Sequence, residues 1–235
     1  MLLYYTPNLA ENTAVLSKEE SHHCVKVLRK KAGATIHVTD GKGTLCEARI
    51  VRADREACEV IIINAERDYG KSKIHLHIAI APTKNNARFE WFLEKATEIG
   101  INEISPIICK NSERETLNSE RLEKLLVSAM KQSERAYLPR LNEAVAFSAG
   151  LREIISDGNT TNRFIANYDE GNKELKEALQ KSESAIILIG PEGDFTTDEL
   201  DEAMRQGFVS VNLGSSRLRT ESAGIVACTV INHWI

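Results

Sequence analysis

At 235 residues, with 42% hydrophobic and 27% charged side chains, the chain has the make-up of a globular protein of one large or two smaller domains. Apolar runs such as 60–63 and 185–189 are too short to span a bilayer, and the amino terminus lacks the basic and apolar parts of a signal peptide, so no membrane association is expected. A net charge of −4 argues against non-specific polyanion binding, and five scattered cysteines without CxxC spacing argue against a disulfide framework or a zinc cluster; a reducing cytoplasm is the expected setting.

Ser17-Lys18-Glu19-Glu20 reads as a capping box opening a helix to about Arg29, with Cys24, Val25 and Leu28 as its apolar stripe. The cations that follow, Lys26, Arg29, Lys30 and Lys31, fit either a solvated helix end that complements the helix dipole or a basic patch. Strands are predicted over 35–39, 45–52 and 58–64, with Asp40-Gly41-Lys42-Gly43 as a turn. Short strands joined by tight turns suggest a small barrel, and the polar stretch from Arg67 to Ser72 fits a linker.

From Ile74 onward strand and helix patterns alternate. Strands are expected at 74–81, 102–108, 163–166, 185–189 and 209–213. Helices are expected at 86–99, stopped by Gly100, from a cap at Ser119, near 145–155, at 173–180, from the capping box Thr196–Glu199 to Gly207, and at 221–234. This alternation implies a mostly parallel sheet covered on both faces.

Neither GxGxxG nor GxxxxGK[ST] occurs, and no GxSxG elbow is present. His75 and His77 share a strand face without a third ligand nearby, so no metal site is expected. Two loops stand out, each following a short apolar strand: Gly190-Pro191-Glu192-Gly193-Asp194-Phe195, and Gly214 through Ala223 with Arg217, Arg219 and Glu221. Ligands bind at the carboxyl ends of strands in open α/β sheets. Glycine lets backbone approach a ligand closely, and arginines at a helix amino terminus oppose the dipole unless an anion compensates them. The pair of loops therefore reads as a small-molecule pocket beside an anionic partner.

At these residues the chain resembles the SPOUT class of methyltransferases, and within it the RsmE family of 16S ribosomal RNA uridine methyltransferases. His22 to Arg29 resembles the family's H-x-x-x-VLR helix, and Asp40-Gly41 its turn. Lys84, Arg88, Glu90 and Glu94 to Gly100 are similar to its K…R-x-E…QKATELG run, and Gln132-Ser133-Glu134-Arg135 with Pro139 to its QS-x-R…P segment. The two late loops resemble GPEGG-[FL] and LG-x-R-x-LRTETA. The chain departs from these patterns at Lys131, Asp194, Ser216 (with Arg217 one residue later) and Ser222.

The resemblance implies a PUA-like β-barrel RNA-binding domain over 1–70 and, over 71–235, an α/β knotted SPOUT methyltransferase domain with a deep trefoil knot. The strand–helix pattern alone would have given an unknotted sheet. It implies S-adenosyl-L-methionine as cofactor, 16S ribosomal RNA or the small ribosomal subunit as partner, and a homodimer through the C-terminal domain. Ile189, Gly190, Pro191, Glu192, Gly193, Leu213, Gly214 and Leu218 are then expected to bind the cofactor. Arg219, Glu192 and Glu221 are the catalytic candidates, and Arg29, Lys30, Lys31 and Arg135 the candidate RNA contacts. Two rival expectations are a SPOUT enzyme acting on another RNA, and an RNA-binding protein with a defunct cofactor pocket.

Overall fold

The computed structural model describes residues 1–156 and 162–234. The chain divides into two compact units, Met1–Lys71 with Val127–Leu138, and Ser72–Leu126 with Pro139–Ile235.

In the first unit, β1 (Leu3–Tyr5), β2 (Thr13–Val15), α1 (Lys18–His22), β3 (Thr35–Thr39), β4 (Leu45–Arg52) and β5 (Glu59–Glu66) follow one another. The sheet order is β1-β3-β4-β5-β2, antiparallel except where β1 runs parallel to β3. Alternation along β4 turns Cys46, Ala48 and Ile50 inward, and Ala48 and Ile50 join Tyr4, Leu16, Val38 and Val60 in one core. Register shifts between β4 and β5 at Glu47/Ala48 and Ile50/Arg52 add local twist.

The first helix differs from the expected one in two ways. Glu20 N–H donates to Ser17 Oγ at 3.2 Å, but the Glu20 carboxylate turns to Lys131 Nζ at 2.5 Å, so only half of the capping box forms. After five α-helical residues the backbone widens into a π-helical turn over His23–Val27, and Arg29 follows at φ +54° with Lys30 N–H donating to the Cys24 carbonyl at 3.0 Å. π turns are rare and are found frequently at functional sites, and a non-glycine residue in the left-handed region is uncommon.

The second unit begins with β6 (His75–Ile80), α2 (Asn86–Ile99) and β7 (Glu103–Ile108); the boundary between units then falls within α3 (Ser119–Gln132). It continues with β8 (Arg140–Leu141), β9 (Val145–Ala146), α4 (Phe147–Ser156), β10 (Asn162–Ala166), β11 (Lys173–Glu174) and α5 (Leu175–Ala178). It closes with β12 (Ser184–Ile189), α6 (Thr197–Arg205), β13 (Val209–Asn212) and α7 (Thr220–Trp234). The sheet is parallel throughout, in the order β11-β13-β10-β12-β6-β7-β8, with β9 beside β7. One face carries α4 and α6, whose Phe147, Leu151 and Ala203 pack with Ile107, Ile165 and Leu188. Toward the other face α7 packs on α2 so closely that a Cβ on Gly224 would lie 2.5 Å from the Phe92 ring.

Cap residues account for the helix ends. Asn85 Oδ1 accepts from Ala87 N–H at 3.0 Å, Gly100 ends α2 at φ +116°, and Thr196 with Glu199 completes a capping box on α6. The cap of α3 is Asn118, whose Oδ1 accepts from Arg121 N–H at 3.0 Å, and not Ser119. The helix expected over 173–180 is reduced to α5, because Lys173 and Glu174 pair with β13 and the Glu174 carboxylate accepts from Gly214 N–H at 2.9 Å.

Candidate functional site

β13, β10 and β12 are neighbours in the sheet, and their carboxyl ends open into one cleft of about 490 Å³ including its mouth. Ala166, Asn167 and Tyr168 come from the end of β10, and Ile189, Gly190, Pro191 and Asp194 from the loop after β12. Val211, Leu213, Ser216, Arg217 and Leu218 come from β13 and its loop, and Thr220 and Ala223 from the start of α7. Side chains tie these loops together. Thr220 Oγ1 donates to the Gly190 carbonyl at 3.0 Å, Tyr168 Oη to the Ser215 carbonyl at 3.2 Å, and Asn111 Nδ2 to the Gly193 and Asp194 carbonyls at 3.0 and 3.1 Å.

Each glycine has a local reason. A Cβ at Gly190 would stand 3.1 Å from the Phe195 ring, while Gly214 turns at φ +113° over open space. The floor is apolar and the rim holds hydroxyl, amide and charged groups, the make-up of small-molecule sites.

Of the residues singled out in the sequence, Ile189, Gly190, Pro191, Leu213 and Leu218 line the cleft. Gly193 lies against Asn111, and Gly214 forms the bend beside the cleft. Glu192 is exposed and its Oε1 accepts from Lys84 N–H at 3.1 Å. Arg219 is exposed with no side-chain partner among the described residues. Glu221 is not among the residues that line the cleft: it is 6% exposed, its Oε1 lies 3.8 Å from Arg88 Nε, and its Oε2 has no hydrogen-bond partner among the described residues. Asp194, Ser216 and Arg217 line the cleft from within the two loops that the sequence marked, whereas Asn167 and Tyr168 carry no such signal, because a lone Asn-Tyr after a strand has no glycine or charge signature.

In the first unit, His22, His23, Lys26, Val27, Leu28, Arg29 and Lys31 are exposed around the π-helical turn, with Lys30 half-buried. Arg135 belongs to the same unit, half-buried and already engaged by a neighbour. Among the described residues no group of three His, Cys, Asp or Glu side chains could hold a metal, and no helix is long and apolar enough to cross a membrane.

A sequence profile described as an RNA methyltransferase domain matches residues 70–232, and one described as an RNA methyltransferase PUA domain matches 16–63. The ribosomal RNA small subunit methyltransferase E of Rickettsia conorii is 30% identical, over 96% of this chain and 92% of its own length. That of Bacillus subtilis is 27% identical, over 94% and 90%. Among solved structures, a probable rRNA-methyltransferase from Porphyromonas gingivalis is 39% identical with a TM-score of 0.89, covering 98% of this chain and 97% of that one. A ribosomal RNA small subunit methyltransferase E from Neisseria gonorrhoeae bound to S-adenosyl methionine is 25% identical with a TM-score of 0.86, over 98% and 96%.

Fold and cleft together define the class: an α/β knotted SPOUT methyltransferase domain preceded by a PUA-like domain. Within that class, the chain belongs to the ribosomal RNA small subunit methyltransferase E family.

Proposed function

We propose that the protein transfers a methyl group from S-adenosylmethionine to ring nitrogen 3 of a uridine in 16S ribosomal RNA. The observation that carries this reading is the single cleft formed by both glycine-bearing loops, in a chain that matches a relative solved with S-adenosyl methionine over 98% of its length. The donor, when bound, supplies an electrophilic methyl group on a sulfonium.

The chain's own residues do the rest. Ring nitrogen 3 of uridine carries a proton at neutral pH and is a poor nucleophile until it loses it. Glu192 is the candidate acceptor: Lys84 N–H occupies Oε1 and leaves Oε2 available at the protein surface. Arg219, exposed and without a side-chain partner among the described residues, is the candidate to stabilise negative charge on a uracil carbonyl oxygen. Glu221 acts as a support, holding Arg88 of α2 against the first turn of α7. The target base must lie outside a duplex, because Watson–Crick pairing uses the same nitrogen. Arg29, Lys30 and Lys31 are phosphate contacts that position RNA without reading its sequence, with Arg135 as a further candidate.

We place the protein in the cytoplasm, with its RNA, as a homodimer through the C-terminal domain. Trp91 of α2, 44% exposed, and the half-buried Ile225, Val226 and Val230 of α7 are apolar side chains that such an interface would cover.

Two measurements test the activity. Calorimetric titration should show the purified protein binding S-adenosylmethionine. Small subunits from cells lacking the protein should acquire, on incubation with protein and donor, one new reverse-transcription stop at a uridine, because a methyl on nitrogen 3 blocks pairing. No donor binding, or a modified base other than uridine, would sink the proposal.

A further inference from the structure

Asp194 and Arg217 come from different loops, the first after β12 and the second after β13, and both line the mouth of the cleft. Their side chains form an ion pair across it while remaining 63% and 66% exposed. An ion pair so open to water contributes little to stability, so fold stability does not account for it. Asp194 also holds φ +58°, a conformation glycine adopts more easily. Each of the two loops is tied down: Asn111 Nδ2 donates to the Asp194 carbonyl, and Tyr168 Oη donates to the Ser215 carbonyl, two residues before Arg217.

The geometry points to Asp194 and Arg217 as a clamp for the α-amino-acid end of the methyl donor. This rests on the cofactor reading above and assigns two residues to a part of the ligand that the apolar floor cannot recognise. A guanidinium matches a carboxylate with two parallel hydrogen bonds, and a carboxylate accepts from an ammonium. Without ligand, the Asp194 carboxylate occupies the place on Arg217 that the donor's carboxylate takes. On binding, Arg217 exchanges one carboxylate for another and Asp194 receives the donor's ammonium. Every charge keeps a partner, so opening the pair leaves no ion stranded.

The test compares two ligands that share a thioether nucleoside. S-adenosylhomocysteine carries the amino acid, and 5′-methylthioadenosine does not. By calorimetry, Arg217→Ala and Asp194→Gly should each bind S-adenosylhomocysteine roughly tenfold more weakly than wild type, the worth of one charge-assisted hydrogen bond. Binding of methylthioadenosine should stay unchanged, and Arg217→Lys should fall between. Both positions are exposed, and Asp194→Gly relieves the positive φ, so melting temperatures should confirm folded variants. Equal losses for both ligands, no loss for either, or a loss confined to RNA binding overturns the clamp alone. A wild-type protein that binds neither nucleoside overturns both the clamp and the cofactor reading beneath it.

Discussion

Arg219 stands at the start of α7, where the helix dipole opposes positive charge, and no described side chain offsets it. An unpaired cation beside a cleft suits a group that acts on charge arising in the reaction. Arg219→Ala should lower the turnover of methyl transfer by about 100-fold or more while leaving donor affinity nearly unchanged; near-normal turnover would refute the role. Two departures from the family's sequence pattern find partners nearby: Lys131 meets the buried carboxylate of Glu20, and Asp194 meets Arg217. The cysteines behave differently. All five are buried, and burial, reinforced by neighbouring Cys24, pushes the Cys58 thiol up to about 12. In the unfolded chain a thiol ionises at about 8.5. Above that pH the unfolded state binds fewer protons than the native state, so stability falls as pH rises. The urea midpoint should therefore drop between about pH 8 and pH 10, and Cys58→Ala should shrink that drop; an identical drop in the variant would exclude Cys58 as its source.

The packing of α7 on α2 depends on a missing side chain. A Cβ at Gly224 would lie 2.5 Å from Phe92 and 3.1 Å from Ile80, atoms with no free space to retreat into. With two ring atoms of Phe92 closer than 3 Å, Gly224→Ala should cost about 2–3 kcal/mol from overpacking, only partly offset by the ~1 kcal/mol that alanine gains over glycine inside a helix. A lowered melting temperature checks this, and an unchanged or raised one would mean that the two helices can separate freely. Nothing local to Gly224 announces that contact, and the same limit governs what could be read beforehand. The last turn of α2 and the first turn of α6 were legible because Gly100, Thr196 and Glu199 act on their own turns. β1, β2 and β11 were not, since strands of two or three residues exist only through pairing with β3, β5 and β13. The cleft shows the same division. Its glycine loops are visible as motifs, whereas Tyr168 reaches it because β10 lies between β12 and β13 in the sheet, an adjacency that sequence order hides.

Net charge and local charge point in opposite directions in this protein, and binding to RNA should follow the local one. The chain carries −4 in total, yet the π-helical turn and the residues after it gather the exposed Lys26, Arg29 and Lys31 and the half-buried Lys30 within six positions. Phosphate contacts release counterions, so the logarithm of affinity falls linearly with the logarithm of salt concentration, by about 0.7 per contact on single strands and about 0.9 on duplexes. Replacing Arg29, Lys30 and Lys31 together by alanine should flatten that slope by roughly 2–3 for a ribosomal RNA fragment. Titrations at several salt concentrations would measure it, with donor affinity as the internal control because the cleft is built wholly from the second unit. The left-handed backbone at Arg29 separates this from a general charge effect. If Arg29 is held there to aim its side chain at one phosphate, Arg29→Ala alone should remove close to one full contact, and moving the same charge to an exposed site elsewhere in the unit should not restore it. If any nearby cation restores the slope, the π-helical turn does not aim Arg29, and RNA senses only the summed potential of the patch.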